Sequence, residues 1–165
     1  MEHSPTAGPD RTPGTADSTV PAAPEPAPGP APVHVERTGT RRYVARNDRG
    51  AEVQIGGEEV DAVFTPGELL AIALGACNVM STDLPLVRRL GEDFTAQVSV
   101  RRTKLAEENR YTAADVELVL GPEAADRLAE LEPVITRAVE RGCTVGRTLE
   151  AGLTDTLTIR TDQER

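Results

Sequence analysis

The chain has no tryptophan, two phenylalanines and two tyrosines among its 165 residues. That is too little aromatic surface for the stacking platforms that hold single-stranded nucleic acid. Basic residues are also short, with 18 Lys and Arg against 27 Asp and Glu. The chain therefore lacks the positive field that nucleic acid or an anionic membrane surface requires, and neither is expected as a partner. Its two histidines, His3 and His34, leave any local metal site a ligand short, so no metal or other cofactor is expected. No apolar run approaches the ~20 residues of a membrane span, and the start lacks the basic and then apolar pattern of a secretory signal. Cysteine is scarce too: Cys77 and Cys143 are the only two, 66 residues apart, which rules out C-x-x-C redox chemistry and a paired zinc knuckle. Without an export signal, two cysteines point to a reducing cytoplasm. A cysteine pair there is more often catalytic, redox-active or metal-binding than structural.

Proline is plentiful but confined. Nine of the thirteen fall in residues 1–32, where nearly every apolar residue is alanine. Such a segment cannot bury enough apolar surface to offset its ordering entropy, so residues 1–32 are expected to be a disordered tail. Residues 33–162 then form one domain, carrying 22 acidic against 16 basic residues.

The domain opens as an antiparallel meander of three strands, Val33 to Arg37, Arg41 to Arg46 and Ala51 to Ile55, with turns at Thr38-Gly39-Thr40 and Asn47 to Gly50. A helix then starts with Thr65 as N-cap, Pro66 in the first position and Glu68 three residues after the cap. Leu70, Ala73, Leu74, Cys77, Ser81 and Leu84 share one face at helical spacing, and the other sides are also largely apolar. Pro85 should kink or end this helix, with a further turn to Leu90 and a stop at Gly91. Two longer strands follow, Phe94 to Thr103 and Tyr111 to Leu120. A helical region with an interruption at Pro133 comes next and stops at Gly142, then a short helix follows Cys143. The alternating LTDTLTIR (153–160) reads as a last strand. This order is α+β, with antiparallel sheet packed on helices.

The two thiols have different local settings. Cys77 lies mid-helix on a packed face, where burial raises a thiol pKa and favours an inert core role. Cys143 lies where one helix ends and the next begins, so local backbone N–H groups favour its thiolate. Glu68 is equally suited to a capping box with Thr65 and to a place in a site.

PGELLAIALGAC (66–77) and CTVGRTLEAG (143–152) together resemble the two signatures of the OsmC/Ohr family, the osmotically inducible and organic hydroperoxide resistance proteins, and here its OsmC-like subgroup. The resemblance covers about residues 33–160. It implies the OsmC-like fold: antiparallel sheets around a central apolar helix, in an intertwined homodimer. It also implies a thiol-dependent peroxidase for organic or inorganic hydroperoxides. Cys77 matches the peroxidatic cysteine that becomes a sulfenic acid, and Cys143 the resolving cysteine that closes a Cys77–Cys143 disulfide. A dithiol reductant, a lipoylated protein in some members, then reduces that bond. TGTR (38–41) resembles the family's TGGR, which nominates Arg41 as the cation beside the thiolate, with neighbouring Arg42 as its rival on the opposite strand face. Hydroperoxide-resistance members carry the arginine's glutamate partner ten residues before the first cysteine. This chain has Gly67 there and Glu68 one position later. Thr144 stands where the family usually has proline. Tyr43 and Tyr111 read as packing residues.

Two other functions fit the same residues: a non-catalytic module binding a small apolar or electrophilic ligand, and a redox sensor whose disulfide gates a partner. A small domain with so apolar a helix has few ways to cover both of its sides. With the homodimer that the resemblance implies, the 65–84 helix and the first strands are expected in the dimer interface, with the active pockets at that interface.

Overall fold

The first three strands are short because turn chemistry closes them. The computed structural model describes residues 29–161, so the expected tail lies, over residues 1–28, outside the described residues. β1 (His34–Gly39), β2 (Arg42–Arg46) and β3 (Glu52–Gly56) form an antiparallel sheet in that order. Arg41 makes the first turn in the left-handed region at φ 53°, a conformation that costs a residue with a Cβ about 1–2 kcal/mol. In the second turn, Asn47 Oδ1 accepts the backbone N–H groups of Arg49 and Ala51, both at 3.0 Å. β1 is exposed along nearly its whole length, and the three strands pack mainly on one another.

α1 (Pro66–Leu90) has the expected start. The Thr65 hydroxyl accepts the Glu68 N–H at 3.2 Å, and Glu68 Oε2 accepts the Thr65 N–H at 2.7 Å. At Pro85 the helix does not end: α1 makes the expected further turn to Leu90 and is capped by Gly91. The missing N–H and the ring clash cost about 3 kcal/mol. Beyond the proline, Leu86 is buried and Leu90 packs on the core. Burial of side chains of this size contributes about 1.5–3 kcal/mol each, enough to hold the last turn in place.

The buried face of α1 also differs. Leu74, Gly75, Thr82 and Leu86 are buried, whereas Leu70, Ala73 and Leu84, expected on the packed face, are exposed. A helix that is apolar all round gives periodicity no side to choose, so the packing partner chooses. Gly75 makes the choice visible: a Cβ there would stand 3.0 Å from Val100 and 3.3 Å from Val98 of the strand Ala96–Leu105. The opposite stripe is bare, with Met80 76% and Leu84 63% exposed. By length and composition α1 also reaches the minimum for a membrane span, which the sequence reading had excluded. Four of its residues, Leu74, Gly75, Thr82 and Leu86, are buried in the fold.

β4 (Ala96–Leu105) and β5 (Arg110–Leu120) form a long antiparallel hairpin packed on α1. The next helical stretch begins as a 3₁₀ helix, Pro122–Arg127, and continues as α2 (Leu128–Gly142) without a break at Pro133. The irregularity thus falls before α2, at the 3₁₀ segment, and not at the proline. Leu86, Ala124 and Leu131 form the core, joined by Leu90, Phe94, Leu120 and Ile135. α3 (Thr144–Ala151) follows directly. The expected last strand is absent among the described residues. Residues 153–160 have no ladder partner, and Leu153, Leu157 and Ile159 are 82%, 81% and 84% exposed. Alternation shows that a segment can be a strand; only a free sheet edge makes it one.

Candidate functional site

The site is assembled where the end of α2 meets the middle of α1. Gly142 permits the approach, since a Cβ on it would lie 3.0 Å from Ser81 Oγ and 3.2 Å from Ser81 Cβ. The Ser81 hydroxyl turns inward and donates to the Cys77 carbonyl oxygen at 2.7 Å. One small residue against another lets the next residue, Cys143, settle beside Cys77, within hydrogen-bonding reach of its thiol. Both cysteines are free.

Their electrostatics are opposite, and they reverse the local expectation. Cys77 is held below the ordinary thiol range chiefly because the Val145 backbone N–H points at its sulfur, assisted by the Cys143 thiol and the Thr144 N–H. These N–H groups belong to the first turn of α3. Cys143 caps that helix, and its sulfur accepts the Gly146 N–H at 3.2 Å, yet burial outweighs these contacts and pushes its pKa up. The helix end that should have activated Cys143 alone thus also serves Cys77, and at Cys143 burial outweighs it. Asn78 completes the pair: its Nδ2 donates to the Leu74 carbonyl at 2.8 Å and lies 3.6 Å from Cys143 Sγ.

Two clefts adjoin the thiols. One, of about 660 Å³, has Cys143 on its wall with Leu74, Asn78, Arg102 and Tyr111. The other, of about 430 Å³, has Cys77 on its wall with Ala73, Met80 and Val145.

The other nominated residues stand apart from the pair. Arg41 is ion-paired with Glu59 on the exposed first hairpin and lines neither cleft. Arg42, its rival, opposes Gly56 across the sheet and is exposed. The Glu68 carboxylate is held low mainly by the Thr65 N–H and hydroxyl, with Arg102 as a more distant cation. It lines neither cleft. Tyr111, expected only to pack, lines the larger cleft, and its hydroxyl accepts from Arg102 Nη1 at 3.3 Å while its ring lies 5.2 Å from the guanidinium. That hydroxyl fills the space over Gly67, where a Cβ would meet it at 2.2 Å. A glutamate at position 67 would have to displace it. Sequence reasoning missed Arg102, Asn78 and the Val145 N–H. Asn78, a polar residue inside an apolar helix and next to a cysteine, carried the one signal that could have been followed.

The OsmC-like protein family model matches residues 57–158, which takes in both cysteines and leaves β1, Arg41 and β2 outside. Uncharacterized proteins of Mycobacterium tuberculosis and Mycobacterium bovis are 52% identical over 127 residues, covering 76% of this chain and 93% of theirs. Among solved structures, a putative osmotic stress induced and detoxification response protein from Psychrobacter arcticus superposes with a TM-score of 0.59 at 18% identity, over 74% of this chain and 90% of that one. The organic hydroperoxide resistance protein OhrB of Bacillus subtilis superposes with a TM-score of 0.51 at 19% identity, over 73% and 90%. These likenesses carry the fold alone. With the family match and the mycobacterial relatives, they make this chain a member of the OsmC-like protein family.

Proposed function

We propose that the protein is a thiol-dependent peroxidase acting on organic hydroperoxides, with Cys77 as the attacking thiol and Cys143 as the resolving one. The observation that carries this reading is the opposite tuning of two adjoining thiols: backbone N–H groups favour the Cys77 thiolate, and burial keeps Cys143 protonated. The Cys77 thiolate attacks the distal peroxide oxygen, the O–O bond breaks, and the alkoxide takes a proton and leaves as an alcohol. Cys77 is then a sulfenic acid. Cys143 attacks its sulfur, water leaves, and a disulfide forms. An external dithiol restores both thiols, as suits a reducing cytoplasm.

The working unit is a homodimer. The bare stripe of α1, the exposed β1 strand and the unpaired 153–160 segment are surfaces that one copy leaves uncovered. A second copy covers like with like, as a two-fold interface requires. Arg41 and Glu68 join the site only in that assembly. The first sheet of one copy, laid over α1 of the other, brings the Arg41 guanidinium to the Cys77 cleft, and Glu68 fixes the helix it approaches. Light scattering should give a dimer at micromolar concentration; a stable monomer removes this assignment.

The test of the activity is a titration of free thiols before and after one equivalent of cumene hydroperoxide, with hydrogen peroxide in parallel. Rapid loss of both thiols, with a monomer mass lowered by one disulfide, is the expected result. If the thiols persist, the peroxidase reading fails and the clefts are those of a binding module.

A further inference from the structure

The two clefts share no lining residue, and the thiol pair is the partition between them. α1 turns Leu70, Leu74 and Asn78 toward the larger cleft and Ala73, Cys77 and Met80 toward the smaller. With 3.6 residues per turn, these two sets lie roughly a quarter of a turn apart around the helix axis. The chain that enters α3 divides the same way: Gly142 and Val145 line the smaller cleft, and Cys143 and Gly146 the larger.

Accordingly, we propose that hydroperoxide and reductant use different clefts: the hydroperoxide meets Cys77 from the smaller, and an alkyl dithiol enters the larger and reduces the disulfide by attacking Sγ of Cys143. This rests on the peroxidase reading above and adds to it the site and the sulfur at which the reductant acts. A thiolate attacks a disulfide along the S–S axis, from the side opposite the leaving sulfur. Cys143 is the disulfide sulfur whose wall faces the larger cleft, so approach from there expels Cys77. The leaving sulfur then falls back on the Val145 and Thr144 N–H groups that already hold its thiolate. Attack on Cys77 instead would expel Cys143 into surroundings that disfavour its charge. The sulfur with the lower pKa is the faster leaving group. Cleft size and lining agree with an alkyl chain: about 660 Å³, with Leu70, Leu74, Val116, Val139 and Leu149 on its walls. Cys143 is 2% exposed, so a dithiol reaches it by entering this cleft, and the hydroperoxide arriving at Cys77 does not meet it.

The step balances. One thiolate of the dithiol bonds to Cys143 Sγ, the Cys77–Cys143 bond breaks, and Cys77 leaves as a thiolate. The second thiol of the dithiol loses its proton and attacks its own chain's sulfur in the mixed disulfide. Cys143 leaves, takes up a proton, and the dithiol departs as a cyclic disulfide, having given two electrons to the protein.

The full-length protein, oxidised with diamide so that no peroxidase activity is needed, is treated briefly with 2-mercaptoethanol. It is then acid-quenched, capped with N-ethylmaleimide and mapped by peptide mass spectrometry. The adduct is expected on Cys143 with maleimide on Cys77, in about tenfold excess over the reverse, from the difference in leaving groups. An adduct on Cys77, or an even split, overturns the proposal. On the same oxidised protein, Ala113→Phe, which narrows the larger cleft, should slow reduction by dithiothreitol about tenfold, a factor within the reach of one misplaced contact. An unchanged rate also overturns it. If cumene hydroperoxide spares the thiols while diamide-oxidised protein still takes the adduct on Cys143, the peroxidase reading fails and the assignment of the attacked sulfur stands.

Discussion

Leu74 and Leu86 lie twelve residues apart on one helix, both buried, in unlike surroundings. Around Leu86 the helix is enclosed by Leu131, Ala124 and Leu120. Around Leu74 it is flanked by a cleft, and the next turn carries the thiol pair. The closed end supplies packing free energy, and the open end holds groups that must be reached. The same separation lets thiol chemistry change at the open end without touching what keeps the helix in place. Variants at each end should therefore give separable results.

The largest contrast is within the pair itself. Cys77→Ser should be inert to hydroperoxide, whereas Cys143→Ser should react with one equivalent and stall as a sulfenic acid on Cys77, trappable with dimedone and located by mass spectrometry. Both variants should melt near the wild type. A sulfenic acid on Cys143 in Cys77→Ser, formed at the wild-type rate, reverses the roles. Next comes the closed end: Leu131→Ala should cost about 2–5 kcal/mol by removing a fully buried side chain. Calorimetry should then show a melting temperature lower by roughly 10 °C or more. Loss of thiol reactivity in the still-folded fraction would break the comparison.

A smaller effect is expected at Arg41. Arg41→Ala should slow the peroxide step by about tenfold, roughly the 1.4 kcal/mol of one pKa unit, without lowering the melting temperature, because the side chain makes only an exposed ion pair. An unchanged rate would leave activation of Cys77 to the α3 N–H groups. The pH dependence separates the two thiols further. In Cys143→Ser, alkylation of Cys77 by iodoacetamide should have its midpoint below the ordinary thiol value of about 8.5, and in Cys77→Ser that of Cys143 should lie above it. The linked stabilities run in opposite directions. A lowered thiol pKa gives Cys77 a contribution that is present above the unfolded value and is lost as pH falls through the folded one. A raised one makes Cys143 stabilising below the unfolded value, and that contribution is lost as pH climbs toward the folded value. The smallest effect is at the helix start: Thr65→Ala should cost about 1 kcal/mol, read from the denaturant midpoint, and Thr65→Ser should recover most of it.

Short-range chemistry was legible in advance. The Thr65 capping box, the Asn47 turn, the Gly91 stop and the start of α3 after Cys143 each depend on a few neighbouring residues, and each lies where those residues put it. The two cysteine motifs also identified the family, because their order and spacing are linear properties. What failed depended on partners. Pro85 and Pro133 ended neither helix, since Leu86 and Leu131 are buried and Leu90 packs half-buried on the core beyond or beside them. Residues 153–160 pair with no strand among the described residues, since alternation does not by itself supply a partner.

The site divides along the same line. The sequence by itself determined that there are two thiols, that one is mid-helix and that the other heads α3. Tertiary structure decided which thiol receives the helix end. A Cys143 sulfur at the cap can accept from its own first turn, at Gly146, but it shields itself from solvent in doing so. The Val145 and Thr144 N–H groups of that turn also favour a second thiolate, because the close crossing of Gly142 on Ser81 brings Cys77 beside them. A hydrogen-bond donor at a helix end has a direction as well as a position, and the direction is satisfied by whatever the fold places there, here a cysteine 66 residues away.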